Sequence, residues 1–153
     1  MNKSVQEFLE FPNSVSFLKI RKNSSLLKEV LIEDEECAKR FFLFDDWLLL
    51  FKEGVNLSSE MKALIKENLK GSVIDFADAT KYYYSLGYDD RMFWQKNYIG
   101  FATSVKDLQY VLNQVPSSYR REIVEKMRAV AKTDEEKKLA LSYRIWEKWI
   151  FAY

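Results

Sequence analysis

The chain has 153 residues and a mass of 18.2 kDa, with 24 Lys and Arg against 23 Asp and Glu, a formal net charge of +1. That balance gives no global field to draw it onto nucleic acid or an anionic membrane, so any such affinity would need a local patch. Apolar residues make up 48% and aromatic residues 16%, too much for a disordered chain, while only 4 Gly and 2 Pro argue against a turn-rich β-sandwich.

The N-terminal "MNKSVQEFLEFPNS" mixes acids among its apolar residues and has no continuous signal-peptide core. Helix-start signals then recur along the chain. Ser4 with Glu7, Ser72 with Asp75, Ser104 with Asp107 and Thr133 with Glu136 each place a hydroxyl three residues before an acid, the pattern that satisfies orphan amides. Gly54, Gly71 and Gly87 follow helical runs, where a left-handed cap favours glycine. These signals predict helices near 4–10, 25–36, 37–52, 59–70, 73–86, 90–99, 105–115, 118–131 and 134–152. "SVSFLKIRKN" fits a short strand at 15–21 or a helix equally well. The expectation is an all-α fold of eight or nine helices in one domain, 1–153, with no linker or repeat and the C-terminal helix packed centrally.

Two predicted helices are apolar almost all round. In "CAKRFFLFDDWLLLF" the stripe Cys37, Phe41, Phe44, Leu48, Phe51 is joined by Phe42, Leu43, Leu49 and Leu50 on other faces. Its apolar core of eleven residues, 41–51, is interrupted by Asp45 and Asp46 and falls well short of the roughly 20 that span a bilayer. Asp46 lies among Phe42, Leu49 and Leu50, where an unpaired charge is costly, so it requires a cation from this chain or from a bound partner. The C-terminal "LALSYRIWEKWIFAY" carries Leu139, Tyr143, Trp146, Ile150 and Tyr153 on one stripe and Leu141, Ile145 and Trp149 on another. Burial in the core is the simplest reading of both.

The chemistry available is narrow. Histidine is absent, which removes the commonest general base and neutral metal ligand, and with it Ser-His-Asp and Cys-His triads. A single cysteine, Cys37, allows no internal disulfide, CxxC pair or four-Cys zinc site, and points to a reducing cytoplasm. Four scattered glycines make no phosphate loop. The catalytic option left is a carboxylate site for Mg²⁺ and nucleotide hydrolysis, from acid pairs at helical spacing: Glu7 with Glu10, Glu33 with Glu36, Asp75 with Asp78, Glu122 with Glu125. Pairs at this spacing arise readily among 23 acids, so the reading is a non-enzyme with no cofactor and no bound metal.

The richest segment is "YYYSLGYDDRMFWQKNYIGF", 82–101, in which eight of twenty residues are aromatic. On a helix over 73–86, Val73, Phe76, Ala77, Tyr83 and Tyr84 share a core side, which leaves Tyr82 partly exposed beside Asp75 and Asp78. Phe93 and Trp94 diverge by about 100°, so one helix face cannot bury both. Acids interleaved with rings repel phosphate and suit a basic protein surface, and Tyr, Trp and Met are favoured anchors at protein interfaces.

The candidate partner-binding set is therefore Asp75, Asp78, Tyr82, Tyr88, Asp89, Asp90 and Trp94, with the rings as anchors and the aspartates pairing with Lys or Arg of a basic partner such as a toxin or nuclease domain. The most concrete form is a small cytoplasmic inhibitor, for example an immunity protein of a cationic bacterial toxin; self-association stays open and no membrane partner is expected. The rival is a nucleic-acid binder using Arg121, Arg128 and Lys132 with "KIRK" at 19–22, disfavoured because Glu122 and Glu125 dilute the charge.

Overall fold

In a computed structural model that describes residues 1–145, the described chain is helical throughout, with eleven α-helices, one 3-10 turn and no strand. The helices gather into two compact units, Met1–Ile74 and Asp75–Tyr153. No described helix is long and apolar enough to cross a membrane.

The first unit holds α1 (Lys3–Glu10), α2 (Ser14–Leu18), α3 (Ser24–Glu33), α4 (Glu35–Phe41), α5 (Phe44–Glu53) and α6 (Ser59–Gly71). The ambiguous stretch at 15–21 is not strand: it is helix as far as Leu18, started by the Asn13 side chain accepting from the Ser16 amide, and turn from 19 on. Asparagine caps recur: Asn2 and Asn23 accept from the Ser4 and Leu26 amides. Asp34 ends α3 and caps α4 through the Cys37 amide at 3.0 Å.

The expected 37–52 helix breaks at Phe42 and Leu43, both extended, where the buried Asp46 carboxylate reaches back to accept the Leu43 amide at 2.8 Å. That break explains the all-round apolar pattern, since it turns two short helices through different faces and buries Cys37, Phe42, Trp47 and Leu50 together. Phe8 lies between the rings of Phe17 and Phe41, Phe42 stacks on Phe17 at 5.6 Å, and Trp47 meets Phe42 edge-on at 5.0 Å.

The second unit holds α7 (Phe76–Ser85), α8 (Tyr88–Phe101), α9 (Val105–Leu112), a 3-10 turn (Ser117–Tyr119), α10 (Arg120–Val130) and α11 (Asp134–Ser142). Helix α7 packs on α8, α8 on α9, α9 on α10, and α10 on α11. Ser104 and Thr133 cap α9 and α11 as their spacing predicts, and Glu136 completes the reciprocal box by accepting the Thr133 amide at 3.1 Å. Two other predicted starts move: α1 is capped by Asn2 rather than Ser4, and α7 by Asp75 rather than Ser72.

No glycine adopts positive φ; Lys22 and Asn56 do. Gly54 caps α5 at φ −62°, and its requirement is space, since a Cβ there would sit 2.5 Å from the Leu50 carbonyl oxygen. Helix α11 stops at Ser142, where Tyr143 turns extended, instead of running to 152. Of its apolar residues Ala140 is buried while Leu141 is exposed; Trp146, Trp149, Ile150 and Tyr153 lie outside the described residues.

Candidate protein-binding surface

Asp75 begins α7 and accepts the Asp78 amide at 2.8 Å, which frees Ala79, Tyr82, Tyr83 and Leu86 to form a buried stripe at helical spacing. Tyr82 is thus not a surface residue. Only 3% of it is exposed, and its ring meets Trp94 edge-on at 4.7 Å. Trp94, 6% exposed, is likewise core, with Phe101 and Tyr98 stacked beside it. The wheel centred on Val73 misplaced Tyr82 because Val73 lies outside α7 and the buried face runs through Ala79, Tyr82 and Tyr83, where Tyr82 meets Trp94.

Tyr98 organises this cluster. It is fully buried, stacks on Phe76 at 5.5 Å and on Tyr83 at 4.5 Å, and bonds its hydroxyl to Thr80 Oγ1 at 3.0 Å. Burial pushes the phenols of Tyr82 and Tyr98 up from their ordinary value, with Asp90 adding to the shift at Tyr82. Both stay neutral hydroxyls at physiological pH.

What faces water is the other side of the start of α8. Tyr88 is 78% exposed, Met92 52% and Phe93 86%, and Asp89 and Asp90 stand exposed in the same first turn. Tyr88 with Met92 and Asp89 with Phe93 are i, i+4 pairs, so these four side chains make one stripe, while Trp94, Gln95, Tyr98 and Ile99 make the buried one. No side chain caps α8, and the two aspartates complement the positive end of its dipole.

Arg91 sets this orientation. Its Nε donates to the Tyr83 carbonyl, which also accepts the Leu86 amide, and an Nη to the Tyr84 carbonyl, both at 3.0 Å, tying the last turn of α7 to α8. A guanidinium so held anchors the first turn of α8 to its neighbour and leaves Tyr88, Met92 and Phe93 outward. Sequence reasoning missed Arg91, Met92 and Phe93; the divergence of Phe93 from Trp94 was the available signal.

The seven expected residues therefore do not form one site. Phe76 at the start of α7 stacks on Tyr98, ten residues along α8 from Tyr88, so Asp75 and Asp78 lie roughly 15 Å down the helix axis from the Tyr88 end. Tyr88, Asp89 and Asp90 stay together at the exposed end, and Tyr82 and Trp94 support them from inside.

Several of the other candidate groups are tied up locally. Asp46 pairs within the chain, its Oδ1 accepting from Arg21 Nε at 3.3 Å, and burial pushes its carboxyl up against the opposing pull of the Leu43 amide and the Arg21 guanidinium. Arg121 pairs with Glu125 at 3.1 Å, and an Arg128 Nη donates to the Tyr143 carbonyl at 2.9 Å, closing the end of α11. Lys19 reaches Glu7 at 3.7 Å. Among the described residues no three acids or cysteines gather where a metal ion could sit.

No family model, curated protein or solved structure matches the chain.

Proposed function

We propose that the protein is a binding module that engages another protein through the exposed start of α8, with Tyr88, Met92 and Phe93 as anchors and Asp89 and Asp90 facing Lys or Arg of the partner. The observation that carries this reading is the exposure of three large side chains on one stripe beside two acids, 86% for Phe93. Such rings are uncommon on a surface that meets only water, and Tyr, Phe and Met are enriched where proteins meet. Acids at the rim steer a cationic partner and suppress acidic ones. In its most concrete form the protein is a small cytoplasmic inhibitor, an immunity protein that covers a basic surface of a bacterial toxin or nuclease.

The test is affinity capture from the native cell after nuclease treatment, washed at about 0.5 M salt so that loosely screened electrostatic passengers leave. Wild type and a Tyr88→Ala/Phe93→Ala double variant are run in parallel. A stoichiometric protein held by wild type and lost by the variant supports the reading. Equal retention by both would place the interface elsewhere, and recovery of nucleic acid alone from untreated samples would transfer the function to the cations of α10.

A further inference from the structure

The first unit carries a second feature, independent of the α8 surface. A cleft of about 380 Å³ opens between α2 and the α4–α5 break, lined by Ser14, Phe17, Leu18, Arg21, Arg40, Phe41 and Leu43. The volume lies in the range of small-molecule sites, about 300–1,000 Å³. Its walls are apolar rings and two leucines left largely open, Leu18 at 64% and Leu43 at 61% exposed. Both of its charged groups are guanidiniums.

These two arginines differ in what they have left to give. Arg21 is spent on Asp46, with Nε and an Nη on the two carboxylate oxygens at 3.3 and 3.4 Å, and its guanidinium lies over the Phe17 ring at 4.7 Å. Arg40 is exposed, lies 5.9 Å from the centroid of the Phe41 ring, and has no carboxylate partner among the described residues; the nearby Glu35 and Glu36 both pair with Lys39. Arg40 spends one N–H on the Cys37 thiol, which leaves most of its five donors at the mouth of an apolar cleft, and Arg binds carboxylate and phosphate through such donors. Phe17, Phe41, Leu18 and Leu43 would then cover an apolar tail.

We propose that this cleft binds a small amphipathic anion, an oxyanion headgroup on an apolar chain, with Arg40 holding the headgroup and Leu18 and Leu43 closing over the tail. Arg21 is the positioning residue, since its pair with Asp46 fixes the floor and leaves Arg40 as the cation without a counter-ion.

The experiment titrates the full chain by calorimetry and amide chemical-shift mapping with octanoate, octyl phosphate, 1-octanol and octylammonium. Saturable binding of octanoate or octyl phosphate, with shifts centred on residues 14–21 and 40–43, is expected, and which of the two binds tighter identifies the headgroup. Octanol and octylammonium should bind at least tenfold more weakly. Arg40→Gln should reduce affinity for the anions about tenfold and leave octanol unchanged; Leu43→Ser, also at an exposed position, should weaken every ligand that does bind. No saturable binding of either anion, octanol binding as tightly as octanoate, or an Arg40→Gln variant with wild-type affinity and an intact amide spectrum would each overturn the proposal.

Discussion

Replacing Trp94 by alanine should destabilise the second unit by about 3–5 kcal/mol, whereas replacing its sequence neighbour Phe93 should move stability by less than about 0.5 kcal/mol. The surroundings of the two rings set these magnitudes. Trp94 is 6% exposed and meets Tyr82 at 4.7 Å, Phe101 at 5.9 Å and Tyr98 at 6.3 Å. A buried ring of this size removes roughly 150–250 Å² from water, which at about 25 cal/mol/Å² is roughly 4–6 kcal/mol before the site relaxes. Phe93, 86% exposed, has almost nothing to lose. Urea unfolding followed by far-UV circular dichroism reads the difference. With a slope of about 1–3 kcal/mol/M, the Trp94→Ala midpoint should fall by about 2 M while Phe93→Ala stays within about 0.3 M of wild type. A Tyr82→Ala/Trp94→Ala cycle should return a coupling of about 0.5–1.5 kcal/mol for the edge-on pair. A Trp94→Ala midpoint near wild type, or equal shifts for the two single variants, would refute the division into a buried and an exposed stripe and with it the placement of the surface.

Asp46→Ala strips the Leu43 amide of its acceptor and Arg21 of its partner, and because the Arg21 side chain is 32% exposed and can rehydrate, a loss of about 2–3 kcal/mol in urea unfolding is expected. Burial raises the folded carboxyl above its ordinary 3.8, so the folded state binds more protons between the two values; the contribution of Asp46 is fully present below pH 3.8 and falls as pH rises through the raised value. The gap between wild type and Asp46→Ala should therefore narrow towards neutral pH, and a widening gap would show that the attraction of Arg21 outweighs burial. Gly54→Ala should cost about 1–3 kcal/mol, because the added Cβ meets the Leu50 carbonyl oxygen at 2.5 Å and Leu57 Cδ1 at 2.6 Å. Gly100→Ala, inside α8 with nothing within 4 Å, should instead stabilise by about 0.5–1 kcal/mol, both glycine variants being read by urea unfolding.

The helical class was legible because hydroxyl caps, few glycines and few prolines agree with one another, and Ser104 and Thr133 start helices where their spacing says. The helix count was not, because the breaks are made by residues that read as ordinary polar positions. Asn13 and Asn23 cap α2 and α3, Asp34 both ends α3 and begins α4, and Asp46 splits a run of eleven apolar-rich residues by bonding backwards to Leu43. Asp46 did register as an oddity, a carboxylate among apolar neighbours that needs a cation. Which cation it finds is tertiary information, supplied by Arg21 from 25 residues away.

The aromatic segment shows the same limit more sharply, since its composition marks it for attention but composition does not say which rings face inward. A helical wheel gives relative angles only; its origin has to come from a contact. Within α7 that contact is the edge-on meeting of Tyr82 with Trp94 of α8, which turns Tyr82 in beside Tyr83. Within α8 it is Arg91, whose two bonds to the Tyr83 and Tyr84 carbonyls lock the first turn against the end of α7. With that turn held, the buried stripe Trp94, Gln95, Tyr98 and Ile99 faces the core and leaves Met92 and Phe93 turned outward, with Tyr88 exposed at the open end of the helix. The surface is thus a product of what the helix buries as well as of the clamp: the rings of Trp94 and Tyr98 packed on Tyr82 and Tyr83, together with the two Arg91 bonds, decide which of the remaining side chains are left to face a partner.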